Sequence, residues 1–164
     1  ADAGKSPRKR SDEVESEPDL IVTHTVRLLV PVIQLFAFYV LAHGHVSPGG
    51  GFQGGVIMGA SFILVALAWD LDAALKRFSE KAAIVCAGIG VLIYAGCGIA
   101  SVFLGDEFLN YGITHTILPG VDSPEMARYY GMLGVEIGVM FTVTSVMFLI
   151  YGLLSTRGRM RGGL

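Results

Sequence analysis

The sequence predicts an all-α integral membrane bundle of four transmembrane helices with both termini in the cytoplasm. Three observations support this fold class. Hydrophobic residues make up 52% of the chain and charged residues 16%, whereas soluble domains are about 25% charged. Four apolar stretches each reach the length of a membrane span, and the basic residues lie almost entirely on one side of them. We expect no nucleic-acid partner, because no basic surface extends over a folded domain.

The first 19 residues are expected to form a disordered, charged tail. Basic residues between Lys5 and Arg10 are followed by an acidic run from Asp12 to Asp19, a composition that buries too little apolar surface to fold. A signal peptide needs an apolar segment directly after its basic residues, so we expect the tail to be retained. The chain then divides into this cytoplasmic tail (1–19), a four-helix membrane domain (20–155) and a short basic cytoplasmic tail (156–164).

The four apolar stretches define the predicted membrane helices. They cover residues 20–42, 52–71, 82–104 and 129–154. Each is at or above the roughly 20 residues that a helix needs to cross a hydrocarbon core. A soluble protein of 164 residues would have too little polar sequence to cover four buried helices of this length.

The distribution of Lys and Arg predicts the orientation. Eleven of the 12 basic residues lie in the N-terminal flank, the second loop or the C-terminal tail, and only Arg128 lies on the opposite side. Positively charged flanks stay in the cytoplasm. We therefore expect both termini and the second loop inside, and the first and third loops outside.

Small residues form two rows on the predicted helices. The second helix opens with Gly51, Gly55 and Gly59, a spacing of four that lets another backbone approach closely. The fourth helix carries a row along one face, formed by Gly131, Gly134, Gly138, Thr142 and Ser145. Both rows predict tight packing between helices.

Glu136 is the most informative single residue. It lies about seven residues, or ~10 Å, inside the predicted fourth helix. An acid at that depth costs a few kcal/mol, so it marks either an ion or proton path or a hydrogen-bonded carboxyl kept protonated within the bundle. It lies about 160° around the helix from the glycine row. If that row packs within the chain, the Glu136 face is expected to meet a different chain.

Few other polar groups lie within the predicted spans. Gln34 and Gln53 are expected to form hydrogen bonds across helices, with ion contacts as the alternative. His43 and His45 lie at the outer edge, where they are either hydrogen-bonded interfacial residues or proton relays at the mouth of a pathway.

Motifs for enzymatic chemistry or a resident cofactor are missing from the sequence. A haem needs axial histidines on facing helices at matching depth, and the four histidines offer no such pair. Cys86 and Cys97 lie roughly 16 Å apart on one predicted helix, too far for a disulfide. The chain has no catalytic triad order, phosphate loop or HExxH. We expect no catalytic activity and no cofactor.

The first loop and the start of the second helix carry a distinctive glycine-rich run. It reads His43-Gly44-His45-Val46-Ser47-Pro48-Gly49-Gly50-Gly51-Phe52-Gln53-Gly54-Gly55. This run resembles the MnhB-type (or MrpB-type) small membrane component of the Mrp (or Mnh) multisubunit cation/proton antiporters, and related domains of membrane-bound hydrogenases and sulfane reductases. The Glu136-Ile137-Gly138-Val139 segment resembles that family's acid-Ile-Gly-Val element. The resemblance covers residues 20–154.

The resemblance implies a small subunit in a prokaryotic cell membrane. It would help to build the membrane module for sodium passage, while large antiporter-like partner subunits carry the proton machinery. Na⁺ would be a transported ion and not a cofactor, and the lipid bilayer would be the other partner. The implied structural signature is Pro48, Gly49, Gly50, Gly51, Phe52, Gly54 and Gly55. Glu136 is the implied acidic position, and His43 and Gln53 accompany it as ion-pathway candidates.

Several alternatives remain open at this point. The chain is equally compatible with the equivalent subunit of a respiratory complex that contains an Mrp-like sodium module. A purely structural assembly subunit, a small self-assembled channel and an electron-transfer anchor are further possibilities. A single deep acid favours a subunit role over an autonomous transporter, because coupled transporters use several convergent ligands on broken helices.

Overall fold

A computed structural model describes residues 20–46, 48–104, 107–112 and 123–156 of the chain. These residues contain five α-helices and no β-strand. The helices are α1 (Leu20–Ala42), α2 (Gly51–Trp69), α3 (Leu71–Arg77), α4 (Glu80–Phe103) and α5 (Pro124–Ser155). All except α3 are long and apolar enough to cross a membrane. The predicted all-α fold with four spans is confirmed. The charged tails lie outside the described residues, and the orientation of the termini stays a prediction.

The two C-terminal spans begin at serine caps. The Ser79 hydroxyl accepts a hydrogen bond from the Ala82 N–H at 3.2 Å, and α4 follows it. The Ser123 hydroxyl accepts one from the Met126 N–H at 3.3 Å, and Pro124 occupies the first helical position, where its missing N–H costs nothing. Helix α5 therefore begins five residues before the predicted start at Tyr129. Hydropathy defines the apolar part of a helix, whereas these caps define where its backbone begins.

The second loop contains the short helix α3, which the sequence analysis did not predict. Asp70 separates α2 from α3 with φ 131° and ψ 157°, a conformation that costs a non-glycine residue about 1–3 kcal/mol. Its N–H still bonds the Ala66 carbonyl and its carbonyl accepts from the Ala74 N–H, both at 3.2 Å. The guanidinium of Arg77 lies 5.9 Å from the Trp69 ring centroid, a cation–π contact across the break.

The four spans pack in the order α1, α2, α5, α4. Helix α1 packs on α2, α2 on α5, and α5 on α4, whereas α1 touches α5 only slightly. Within the described residues, α1 and α4 share no comparable contact. Half of the most apolar window of α2 is buried, against 22% for α1 and 17% for α4. The faces of α1 and α4 are therefore free to contact lipid or other chains.

Two apolar clusters hold this row of helices together. One surrounds Val65 and Phe148 at the end of α2 nearest α3, where the Phe62 and Phe78 rings stack at 5.0 Å. The other joins α1, α2 and α5 toward the opposite end and consists of Ala37, Leu41, Met58 and Met140. Beside them lies an apolar cavity of about 380 Å³.

Candidate functional site

The carboxyl of Glu136 lies against the backbone of the first loop. A Cβ placed on Gly44 would fall on the carboxylate oxygens, and one placed on Gly50 would stand 2.7 Å from Oε1. A Cβ on Gly51 would fall on the backbone carbonyl of Glu136. Any side chain at these three positions would displace α5 or its acid. The glycine-rich run and the acid-Ile-Gly-Val segment, which are far apart in sequence, therefore form one site.

This site is built by a short connection that we call the glycine loop, residues 43–46 and 48–50. It turns directly after α1: the Gly44 N–H donates to the Leu41 carbonyl at 3.2 Å, and the Val46 N–H to the His43 carbonyl at 3.1 Å. Helix α2 then starts at Gly51. The N-terminus of a helix carries unpaired N–H groups and a partial positive charge. The half-buried carboxyl of Glu136 therefore lies where the negative form is favoured.

The structure brings His45 to this acid. The His45 ring meets the Tyr129 ring edge-on, with centroids 4.8 Å apart, and His45 interacts electrostatically with the Glu136 carboxyl. Tyr129 and Glu136 are seven residues apart, so they lie two turns apart on the same face of α5. The glycine loop thus runs along this face of α5 and places the imidazole of His45 next to the acid.

His43 has different neighbours. Its Nδ1 lies 3.0 Å from the Tyr39 carbonyl oxygen, and the two rings lie 4.1 Å apart. Both contacts are to α1, and the side chain is exposed. The two histidines of the glycine loop therefore serve different surroundings, a distinction that their spacing in the sequence does not reveal.

The two glutamines also differ. Gln34 donates from Nε2 to the Ser61 hydroxyl at 3.1 Å, and that hydroxyl donates to the Met58 carbonyl at 2.7 Å. This confirms the expected hydrogen bond across helices for Gln34. Gln53 is exposed, and its Oε1 would stand 2.5 Å from a Cβ on Gly49. Its polar end therefore packs on the glycine loop.

The remaining signature residues divide into packing and exposed positions. Gly54 faces the Ala37 carbonyl of α1, whereas Gly55 faces Val143 and the Met140 carbonyl of α5. Adjacent glycines thus admit two different helices to α2. Pro48 is exposed and Phe52 is 64% exposed; nothing in the structure explains these two.

The expectation that the Glu136 face meets a different chain is wrong for the contacts described here. This face packs on α2, because Gly51, Gly55 and Gly59 approach Glu136, Val143 and Met147 in turn. The glycine row of α5 packs on the other side: Gly138 faces Gly90 and Tyr94 of α4. Glu136 is also 12 residues from the start of α5, about 18 Å, yet level with the first residue of α2. Helical periodicity gave the two faces of α5 but not their neighbours.

No group of three or more His, Cys, Asp or Glu side chains capable of holding a metal occurs in the described part of the chain. The chemistry that Glu136 and His45 can supply is proton exchange, since a carboxyl and an imidazole both bind and release protons.

The chain matches a family model described as a domain related to the MnhB subunit of Na⁺/H⁺ antiporter, over residues 21–149. The corresponding Na(+)/H(+) antiporter subunit of Bacillus subtilis (strain 168) is 33% identical over 129 residues, covering 76% of this chain and 90% of the relative. The protein named mnhB2 of Staphylococcus aureus (strain Newman) is 32% identical over 131 residues, or 80% and 90%. With four spans, the chain is a multi-pass bacterial membrane protein. It belongs to the family of proteins related to the MnhB subunit of Na⁺/H⁺ antiporters.

Proposed function

We propose that the chain is the small MnhB-type subunit of a multisubunit Na⁺/H⁺ antiporter and that it acts only together with other membrane subunits, including large antiporter-like ones. The names of its relatives support the antiporter. The exposed faces of α1 and α4 support the need for partners, because large apolar side chains cover them. The proposal assigns the chain no enzymatic reaction and no resident cofactor.

One observation carries the proposed role: a carboxyl enclosed by glycines at the start of a membrane helix. Placing an acid within a span is costly, and such residues usually serve ion or proton pathways. The N-terminus of α2 offsets part of the cost of the charged form, while burial opposes it. A carboxyl balanced in this way is suited to change its protonation during a transport cycle. We infer that Glu136 exchanges protons on or beside the path of the complex.

The test is Glu136→Gln in the complete complex, which keeps the shape of the side chain and removes the titration. The variant is expected to assemble in normal amounts but to lose Na⁺-dependent proton movement in everted membrane vesicles, or to shift its pH dependence. Glu125→Gln, at an exposed position in the first turn of α5, is the matched control. Normal Na⁺-coupled transport by an assembled Glu136→Gln variant would leave the carboxyl a packing residue.

Copurification distinguishes the antiporter from the respiratory alternative. An affinity tag on this chain is expected to recover large antiporter-like subunits without redox subunits. Recovery of iron–sulfur or hydrogenase subunits instead would assign the chain to a respiratory complex, and recovery of the chain alone would contradict a subunit role.

A further inference from the structure

His45 lies between the aqueous surface and the enclosed acid. Its side chain is exposed, whereas that of Glu136 is half-buried beneath the glycine loop. The peptide unit next to His45, at Gly44, lies directly on the carboxylate oxygens. The edge-on contact with Tyr129 at 4.8 Å holds the imidazole over α5. The residue is thus anchored on the helix that carries the acid while it still reaches water.

No other described side chain offers the same connection. The described residues of the glycine loop contain one further titratable group, His43, which contacts Tyr39 on α1. The first two turns of α2 contain no acid or base. Helix α4 lies against the opposite face of α5, where Tyr94 and Cys97 approach Gly138 and Gly134. On α5 itself the nearest titratable neighbour on this face is Tyr129, which His45 covers.

We propose that His45 is the group through which Glu136 exchanges protons with the water on the glycine-loop side. A protonated imidazole gives its N–H proton to a carboxylate oxygen of Glu136, which leaves a neutral imidazole and a neutral carboxyl. The imidazole then takes a proton from water. The reverse sequence releases a proton from the carboxyl. Histidine is suited to both steps because it ordinarily changes charge between about pH 5 and 8. This role rests on the proposed function of Glu136.

His45→Phe separates proton exchange from packing. Phenylalanine retains an aromatic ring that can meet Tyr129 edge-on but cannot carry a proton. In the complete complex we expect normal assembly and a Na⁺-dependent proton movement in everted vesicles that is roughly tenfold slower or more, since positioned acid–base groups contribute 10²–10⁴-fold. His24→Gln, at the opposite end of α1 where His24 contacts only its own helix, is expected to transport normally.

The double variant His45→Phe/Glu136→Gln tests whether the two residues act in series. If they do, the double variant is no slower than Glu136→Gln alone, because residues on one path are not additive. A His45→Phe complex with a wild-type rate and pH profile, together with an inactive Glu136→Gln complex, would overturn this proposal and leave the proposed function intact. An effect of His43→Gln as large as that of His45→Phe would also overturn it. Normal transport by both His45→Phe and Glu136→Gln would contradict both proposals.

Discussion

Helix α5 packs on α2 through one face and on α4 through the other, and the two interfaces are built differently. On the α2 side the glycines belong to α2, and side chains of α5 fill the space above Gly55 and Gly59. On the α4 side glycine meets glycine: a Cβ on Gly138 would stand 2.7 Å from the Gly90 carbonyl oxygen. Side chains can change rotamer, whereas a backbone in contact with a backbone has nowhere to move. The α4 interface should therefore tolerate less change than the α2 interface.

The largest effect is expected for Gly90→Leu. A Cβ there would stand 2.5 Å from the Gly138 carbonyl oxygen and would collide with the Thr142 hydroxyl. Overpacking costs about 1–3 kcal/mol even where neighbours can relax, so we expect severe loss of complex in detergent extracts, measured by size-exclusion chromatography. Gly88→Leu, two residues away with nothing within 4 Å of its Cβ position, is the control. Equal losses in both variants would contradict the close approach of α4 and α5.

A smaller effect is expected for Gly55→Leu, because its nearest neighbours include the Val143 side chain at 2.9 Å from a Cβ. The complex should assemble in reduced yield, and Gly55→Ala should be tolerated better, since a methyl group demands less separation. The measurement is the thermal stability of the purified complex. If Gly55→Leu proves more damaging than Gly90→Leu, the proposed difference between the two interfaces is wrong.

Thr144→Val is expected to have a modest effect. The Thr144 hydroxyl donates to the Gly55 carbonyl at 3.1 Å, which ties the α2 interface together at a buried position. Hydrogen bonds of this kind in membranes contribute about 0.6 kcal/mol on average. Thr142→Val removes a bond mainly to its own helix, to the Gly138 carbonyl at 3.0 Å, and should cost less. Chemical denaturation of the two variants in one detergent would rank them, and the reverse order would argue against the bond between α2 and α5.

The smallest perturbation shows which end of the two interfaces faces outward. Glu125→Cys and Ser155→Cys place thiols at exposed positions near opposite ends of α5, in a background with Cys86 and Cys97 replaced by Ala. An impermeant thiol reagent is expected to label the first in intact cells and the second only after lysis. The opposite labelling pattern would reverse the predicted topology.

The fold was predictable because hydropathy and length act locally along the chain. The four spans, the serial spacing of Gly51, Gly55 and Gly59, and the isolation of Glu136 all follow from such patterns. Helix α3 was missed because it is short and begins at Asp70, whose positive φ has no sequence signal when the residue is not glycine. The contact between Gly44 and Glu136 was missed for another reason. It joins residues 92 positions apart, and one sequence gives the faces of helices without their partners.

The helices that build the site differ greatly in length. Helix α2, with 19 residues, spans about 28 Å, and α5, with 32, spans about 48 Å. A hydrocarbon core of about 30 Å leaves α2 no spare turn, so hydrophobic mismatch falls first on its glycine end. A thicker bilayer would draw the start of α2, and with it Glu136, below the headgroups, whereas a thinner one would leave both in the hydrated interface. Lipid chain length thus sets the distance between this carboxyl and water.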